Sequence, residues 1–258
     1  MKRVAIVSAK GGVGKTTLTA NLAAALARCG SDPVLAVDLD PQNALALHFG
    51  VSPGDWNGLA RASLERNPWS SACVARQERL HVLPYGVVNE PDRETLESQI
   101  DQNDRWLVER LETLSLPAET VVMLDTPPGP SVYLRQALTA ADIVIVVVLA
   151  DAASFATLPL MQRLVDTYSA PREDFLGCLF VLNQLHSGRQ LAKDIAAVMR
   201  ADYGESLLGV VHEDEAVREA LAFEQSSLDY APDSVATGDI LACAERLHRI
   251  LGAVGRAA

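Results

Sequence analysis

A glycine-rich turn at residues 10–17 (KGGVGKTT) constrains the fold of this chain more than any other segment. It follows an apolar run at 3–8 and precedes a helical pattern at 15–29. Glycines let the backbone curl around an anion, and a helix N-terminus adds converging N–H groups and partial positive charge. A strand, such a turn and a helix, in that order, predict a loop that binds the phosphates of a nucleotide.

Two side chains of the loop are predicted to act on those phosphates. Lys15 is placed to reach the β- and γ-phosphates of ATP, and the Thr16 hydroxyl suits a Mg²⁺ ligand. The general motif G-x-x-x-x-G-K-[ST] requires a glycine where this chain has Ala9, and a second lysine, Lys10, follows it. The loop therefore departs from the general pattern at its start.

Two further apolar runs end in carboxylates. Residues 34–38 end in Asp38, and strand alternation places Asp40 on the same side. Residues 121–125 end in Asp125, the arrangement in which a buried strand delivers one carboxylate to Mg²⁺. The carboxyl ends of parallel strands share one edge of a sheet, so we expect these groups beside the loop. Alone, the Asp-Pro step after Leu39 would indicate only a turn.

Short β-branched runs alternate with helical patterns along the chain, which is typical of an α/β fold with a doubly wound, mostly parallel sheet flanked by helices. Polar stretches at 52–57 and 89–103 are interpreted as surface insertions. No repeat or linker divides the chain, so a single domain over residues 1–258 is predicted. The remaining predicted strands are 80–84, 143–150, 178–183 and 207–211, and the remaining predicted helices are 154–168, 190–203 and 234–254.

The loop that begins with Lys10 resembles the deviant Walker loop of the MinD/ParA superfamily of P-loop ATPases. The resemblance implies ATP and Mg²⁺ as ligands, and an ATP-dependent homodimer in which Lys10 contacts the phosphates held by the partner. It also implies that Asp40 orients or activates the attacking water, that Asp38 supports the magnesium shell, and that Asn183 contacts adenine. His212 stands where the superfamily often has proline, and we interpret it as a loop residue rather than a catalyst.

The expected site residues fall into three groups. The catalytic residues are Lys10, Lys15 and Asp40, and the Mg²⁺ residues are Thr16, Asp38 and Asp125. The nucleotide-binding residues are Gly11, Gly12, Val13, Gly14, Lys15, Thr16, Thr17 and Asn183.

Three stretches outside these motifs, at 56–69, 80–86 and 212–230, resemble the BcsQ family of cellulose-biosynthesis proteins. This resemblance implies a slow, partner-regulated ATPase that supports bacterial cellulose synthesis and secretion. The implied partners are a small BcsR-like protein and the cellulose synthase complex. The implied location is the cytoplasm, or the inner-membrane surface through those partners.

The net charge of the chain helps to decide between this function and its alternatives. The net charge is -11, and the basic residues available for a DNA contact form only a thin patch, so DNA is disfavoured as a partner. That patch is Arg189, Lys193, Arg200 and Arg218. A ParA-type partition ATPase, a MinD-type positioning regulator and a scaffold clamped by slowly hydrolysed ATP stay open as alternatives.

Two features narrow those alternatives further. A MinD-type regulator would need a basic amphipathic membrane tail, whereas the apolar stripe of the last helix is interpreted as facing the core. The four cysteines are scattered without a C-x-x-C pair, which predicts reduced thiols and disfavours iron–sulfur relatives.

Overall fold

The computed structural model describes residues 1–51 and 57–254; residues 52–56, and with them most of the polar stretch predicted at 52–57, lie outside that description. In the described chain, eight strands form a sheet in the order β3-β4-β2-β5-β1-β6-β7-β8, and every neighbouring pair is parallel except β3 with β4. This confirms the predicted doubly wound α/β fold. The strands are β1 (Lys2–Val7), β2 (Val34–Asp38), β3 (Val74–Gln77), β4 (Leu80–Leu83), β5 (Val121–Asp125), β6 (Ile143–Leu149), β7 (Gly177–Leu185) and β8 (Leu207–His212).

Helices cover both faces of the sheet, which is why its central strands are continuously apolar. The helices are α1 (Lys15–Cys29), α2 (Leu59–Leu64), α3 (Glu90–Asp101), α4 (Trp106–Glu112), α5 (Val132–Ala140), α6 (Ala152–Phe155), α7 (Leu158–Tyr168), α8 (Gln190–Tyr203), α9 (Glu215–Ala222), α10 (Ser227–Tyr230) and α11 (Val235–Val254). Helices α1 and α11 pack on one face of the sheet with the 3-10 helix Leu45–Phe49, and helices α2 to α5, α7 and α8 pack on the other face.

Two predicted elements differ from the structure. The stretch 89–103 is not an irregular insertion but contains α3, which Asn89 caps by accepting a hydrogen bond from the Asp92 amide. Leu96 and Ile100 are both fully buried, so this mostly polar helix still covers the core. The helix predicted at 154–168 is divided into α6, which the Asp151 carboxylate caps, and α7, because Pro159 in the first turn of α7 has no N–H to donate to the turn before it.

The last helix packs as predicted. Ile240, Leu247 and Leu251 are buried, and α11 lies against α1 and β8. The apolar stripe of α11 therefore faces the core over these residues. A search of the described chain for helices long and apolar enough to cross a membrane found none.

Candidate nucleotide site

The predicted phosphate loop lies at the carboxyl end of β1, in the middle of the sheet. β5 and β6 flank β1, and β2 pairs with β5 in a register that places Asp38 opposite Asp125. The carboxyl ends of β7 and β8 reach the same edge. The sheet order therefore gathers residues far apart in sequence around the N-terminus of α1, where a parallel α/β sheet normally builds its site.

The loop backbone requires its glycines. Gly12 and Gly14 have φ angles of 73° and 86°, in the left-handed region that L-residues rarely adopt. Gly14 is the residue before α1, so this turn directs the loop into the helix N-terminus. The segment after β5 packs against the same loop, since a Cβ on Gly11 would lie 3.7 Å from the Pro128 side chain.

Gly14 gives a test of this geometry. A Cβ at Gly14 would lie 2.5 Å from Asn183 Nδ2, and φ would remain strained. We expect Gly14→Ala to lower the free energy of unfolding by about 1–3 kcal/mol. Gly238 is the matched control, since it lies in α11 and a Cβ there meets nothing within 4 Å. Chemical denaturation measures both variants, and equal loss in the two would contradict the assigned role of Gly14.

Lys15 is the buried cation of the site. It begins α1 and is 6% exposed. Burial lowers the pKa of its ammonium group, and the carboxylates of Asp125 and Asp40 oppose that shift. The three side chains therefore form a compact charged cluster under the loop. A buried ammonium placed here is poised to bind anionic oxygens.

One carboxylate oxygen of Asp125 has no hydrogen-bond partner among the described residues, and this shows whether the site fits a cation. Its carboxyl is fully buried, and burial raises its pKa to about 7, opposed by the neighbouring Thr16 hydroxyl and Lys15. Oδ1 lies 3.1 Å from the Thr19 hydroxyl, whereas Oδ2 has no hydrogen-bond partner among the described residues. A buried carboxylate oxygen without a partner is costly unless a cation or water meets it. Thr16 and Asp125 thus fit a Mg²⁺ ion that keeps most of its waters.

Asp38 holds the loop that follows β2 in place. Its Oδ1 accepts from the Asp40 amide at 2.9 Å, and its Oδ2 accepts from the Leu45 amide at 3.0 Å. Burial and the neighbouring Asp125 carboxylate raise the pKa of Asp38 well above its usual range. Because both oxygens already hold the backbone, the direct effect of Asp38 is to fix the shape of this loop. Its support of a magnesium shell stays a prediction.

Asp40 lies at the tip of the loop that Asp38 holds. It is 9% exposed, and its Oδ1 accepts from the Gln42 amide at 3.0 Å. Asn43 closes the turn, since its amide donates to the Asp40 carbonyl and its own Oδ1 accepts from the Gly86 amide at 3.0 Å. Asp40 is thereby held beside Lys15 at the mouth of the site.

Asn183 joins the phosphate loop to a neighbouring cavity. Its Nδ2 donates to the Val13 carbonyl at 2.8 Å, a contact that fixes the orientation of the amide. A cavity of about 170 Å³ opens beside it, lined also by Thr17, Gln184 and His212. The site thus has a pocket next to the phosphate loop with a mixed apolar and polar lining, the kind of lining that suits a planar base. His212 is not in a loop as predicted but ends β8.

Lys10 lies at the exposed rim of the site. Its side chain is 37% exposed, and its ammonium lies 3.8 Å from Asp151 Oδ1, at the N-terminus of α6. The structure therefore brings Lys15, Thr16, Asp38, Asp40, Asp125 and Asn183 together, with Lys10 facing outward. The sequence analysis missed Asp151 and Thr19. Neither lies in a recognisable motif, although Thr19 follows Lys15 at helical i, i+4 spacing.

Comparisons with known proteins show the family to which this chain belongs. Residues 1–247 match the family described as Cellulose biosynthesis protein BcsQ. The BcsQ protein of Salmonella typhimurium (strain LT2) is 30% identical over 236 residues, which cover 91% of this chain and 89% of that protein. The chain belongs to the BcsQ family.

The BcsQ family lies within a wider group of ATPases. The chromosome-partitioning ATPase Soj of Thermus thermophilus is 32% identical over 238 residues, covering 91% of this chain and 90% of Soj. The septum site-determining protein MinD of Pyrococcus horikoshii, solved with Mg-ADP, superposes with a TM-score of 0.78 at 26% identity and covers 98% of both chains. This BcsQ-family chain is therefore MinD/ParA-like in fold and in its family-level ATPase assignment.

Proposed function

We propose that this chain binds Mg-ATP and hydrolyses it as a nucleotide-sandwich homodimer, within a single domain spanning residues 1–258. The observation that carries the proposal is the buried cluster of Lys15, Asp40 and Asp125 at the start of α1, in which Asp125 Oδ2 has no partner among the described residues. Such a cluster is costly in an empty site and is satisfied by a triphosphate with its cation.

Each residue has a role in this mechanism. The loop amides and Lys15 bind the β- and γ-phosphates, and Thr16 and Asp125 would hold a Mg²⁺ ion beside them. Mg²⁺, when bound, neutralises charge on these phosphates. Asp40 accepts a hydrogen bond from the attacking water and orients it toward the γ-phosphate. Asp38 acts through Asp40, by fixing the loop that carries it.

Lys10 supplies the contact between subunits. Within one chain, the one carboxylate near its ammonium among the described residues is that of Asp151, at 3.8 Å and near the surface. Such an exposed pair contributes little free energy, so it is easily exchanged for phosphates held by a second subunit. A cation arriving from the partner stabilises charge on the transferring phosphoryl group, as an arginine finger does. Dimerisation then depends on the γ-phosphate.

Lys10→Ala tests this step. We expect nearly unchanged ATP affinity, because Lys10 does not hold the phosphates of its own subunit, and a turnover rate lowered by about a thousandfold. Phosphate release under saturating Mg-ATP measures the rate, and calorimetric titration measures the affinity. Lys2→Ala, at the opposite end of β1, is the matched control. Unchanged hydrolysis in Lys10→Ala would remove Lys10 from the mechanism.

The biological role that we propose is support of bacterial cellulose synthesis and secretion. Membership of the BcsQ family supports it. Its partners would be a small BcsR-like protein and the cellulose synthase complex. The protein would then act in the cytoplasm or at the inner-membrane surface through these partners.

The basic patch does not favour DNA as the partner. Arg189, Lys193 and Arg200 lie on or beside α8 and are exposed, whereas Arg218 is paired with Glu213 and Glu215. With a net charge of -11, this surface supplies few free cations for phosphate neutralisation. A pull-down with ATP-locked protein should retain synthase components. Retention of DNA or division proteins instead would overturn the cellulose assignment.

A further inference from the structure

The last residue of β8 carries an imidazole that the hydrolysis mechanism leaves unused. His212 lines the same cavity as Gly14 and Asn183, beside the phosphate loop. Its Nδ1 lies 2.8 Å from Asp239 Oδ2, and the same oxygen accepts the His212 backbone N–H at 2.9 Å. Asp239 therefore holds both the backbone and the ring of His212.

This contact determines which ring nitrogen of a neutral His212 carries the proton. A carboxylate oxygen can only accept hydrogen bonds, so Nδ1 must be the protonated, donating nitrogen. In a neutral imidazole with that tautomer, Nε2 is an acceptor. No residue in the described part of the chain makes a hydrogen bond to Nε2, which leaves this acceptor available to a ligand in the cavity.

The backbone around His212 is anchored on two sides. The Glu213 amide donates to the Leu185 carbonyl at 3.0 Å, which ties the turn to β7. Asp214 caps α9 by accepting from the Ala216 amide at 3.0 Å, and its other oxygen accepts from the Ala236 amide at 3.4 Å. His212 is thus presented by a preorganised turn, which reduces the entropic cost of using it in recognition.

Asn183 presents a second acceptor to the same cavity. Its Nδ2 donates to the Val13 carbonyl at 2.8 Å, which fixes the amide orientation, and Oδ1 accepts no hydrogen bond from the part of the chain that the structure describes, so it can accept one from a ligand. Two acceptors, from Asn183 and His212, match an amino group that carries two N–H donors. They do not match an oxo group, which has none.

We propose that His212 is a specificity-determining residue of the nucleotide site, whose Nε2 accepts a hydrogen bond from the 6-amino group of adenine. Together with Asn183, it selects a 6-aminopurine over a 6-oxopurine. The inference rests on the proposed function, because it requires a nucleotide in this site. Asp239 acts through His212, as a positioning residue that maintains the tautomer.

Binding of Mg-ADP and Mg-IDP to the full chain tests the proposal. The two nucleotides differ at purine position 6 and its adjoining N1, and neither carries the γ-phosphate that would drive dimerisation. We expect the unsubstituted protein to prefer ADP. In His212→Leu the affinity for ADP should fall about five- to tenfold, the effect of one neutral hydrogen bond, while the affinity for IDP stays unchanged.

Two further variants separate recognition from structure. His212→Gln keeps an acceptor on the side chain and should recover part of the preference for ADP. His186→Leu is the matched control: His186 is exposed on the loop after β7, borders an adjacent cavity that His212 also lines, and is not among the described residues that line the cavity beside the phosphate loop. That control should leave both affinities unchanged.

Three outcomes would overturn the proposal. If His212→Leu lowers the affinity for ADP and IDP by the same factor, His212 is a structural residue of the turn. If neither affinity changes, His212 does not contact the base. In both cases the proposed ATPase function stands, whereas failure of the unsubstituted protein to bind ADP at all would overturn that function and this inference with it.

Discussion

Lys15→Ala should abolish measurable ATP binding, weakening the affinity by about a hundredfold or more. Lys15 is the buried cation beneath the loop, and it lies beside Asp125 and Asp40. Without Lys15, the two carboxylates would repel the phosphates, and only Mg²⁺ and the loop amides could offset this repulsion. Losing one partner of a desolvated charged contact typically costs about 2–5 kcal/mol of binding free energy.

Calorimetric titration with Mg-ATP measures this change. Lys193→Ala is the matched control, because Lys193 is exposed on α8 and lies outside the cavity beside the loop. The control should bind as the unsubstituted protein does. Micromolar ATP affinity retained in Lys15→Ala would contradict the role of Lys15 at the phosphates.

Asp40→Ala should keep ATP binding and lower the turnover rate by about 10²–10⁴-fold. Positioned proton acceptors contribute rate factors of that size. The loop should survive the change, because Asp38 still accepts from the amides at positions 40 and 45, and Asn43 still bonds to Gly86. Binding is retained because Asp40 contributes no cation or amide to the phosphates.

The rate is measured as phosphate release at saturating Mg-ATP. Asp104→Ala provides the control, since the Asp104 side chain is 83% exposed and lies next to α4. Hydrolysis by Asp40→Ala within a few-fold of the unsubstituted rate would assign the attacking water to another residue.

The sequence predicted the strands of the sheet centre and the residues around the phosphate loop. Continuous apolar runs define β1, β2, β5 and β6, and their alternation with helical patterns along the chain predicts a doubly wound sheet. Asp38 and Asp125 end such runs, so their proximity follows from parallel pairing. The structure places them opposite each other in β2 and β5, although their roles toward a metal stay predictions.

Other features depend on tertiary contacts that sequence patterns do not encode. α3 is mostly polar, and only Leu96 and Ile100, four residues apart, reveal its buried face. β3 is a short edge strand whose pairing with β4 is irregular, so its alternation is weak. The pairing of Lys10 with Asp151 joins residues 141 positions apart, and no local spacing indicates it.

The pairing of His212 with Asp239 shows the same limit. The sequence predicts a loop position for His212 and a position in the last helix for Asp239, and the two residues are 27 positions apart. Only the packing of α11 against β8 brings the carboxylate to the imidazole and so determines the tautomer. Sequence motifs therefore predict the phosphate half of the site better than the half that would bind the base.

Multi-angle light scattering of Asp40→Ala tests the proposed sandwich dimer most directly. This variant should bind ATP without consuming it, so the ATP-bound state persists during the measurement. With Mg-ATP we predict a mass of twice the 27.7 kDa chain, and with Mg-ADP a single chain, because Lys10 meets a γ-phosphate only in the first case. A single chain in Mg-ATP, or the same mass with both nucleotides, would contradict the proposed mechanism.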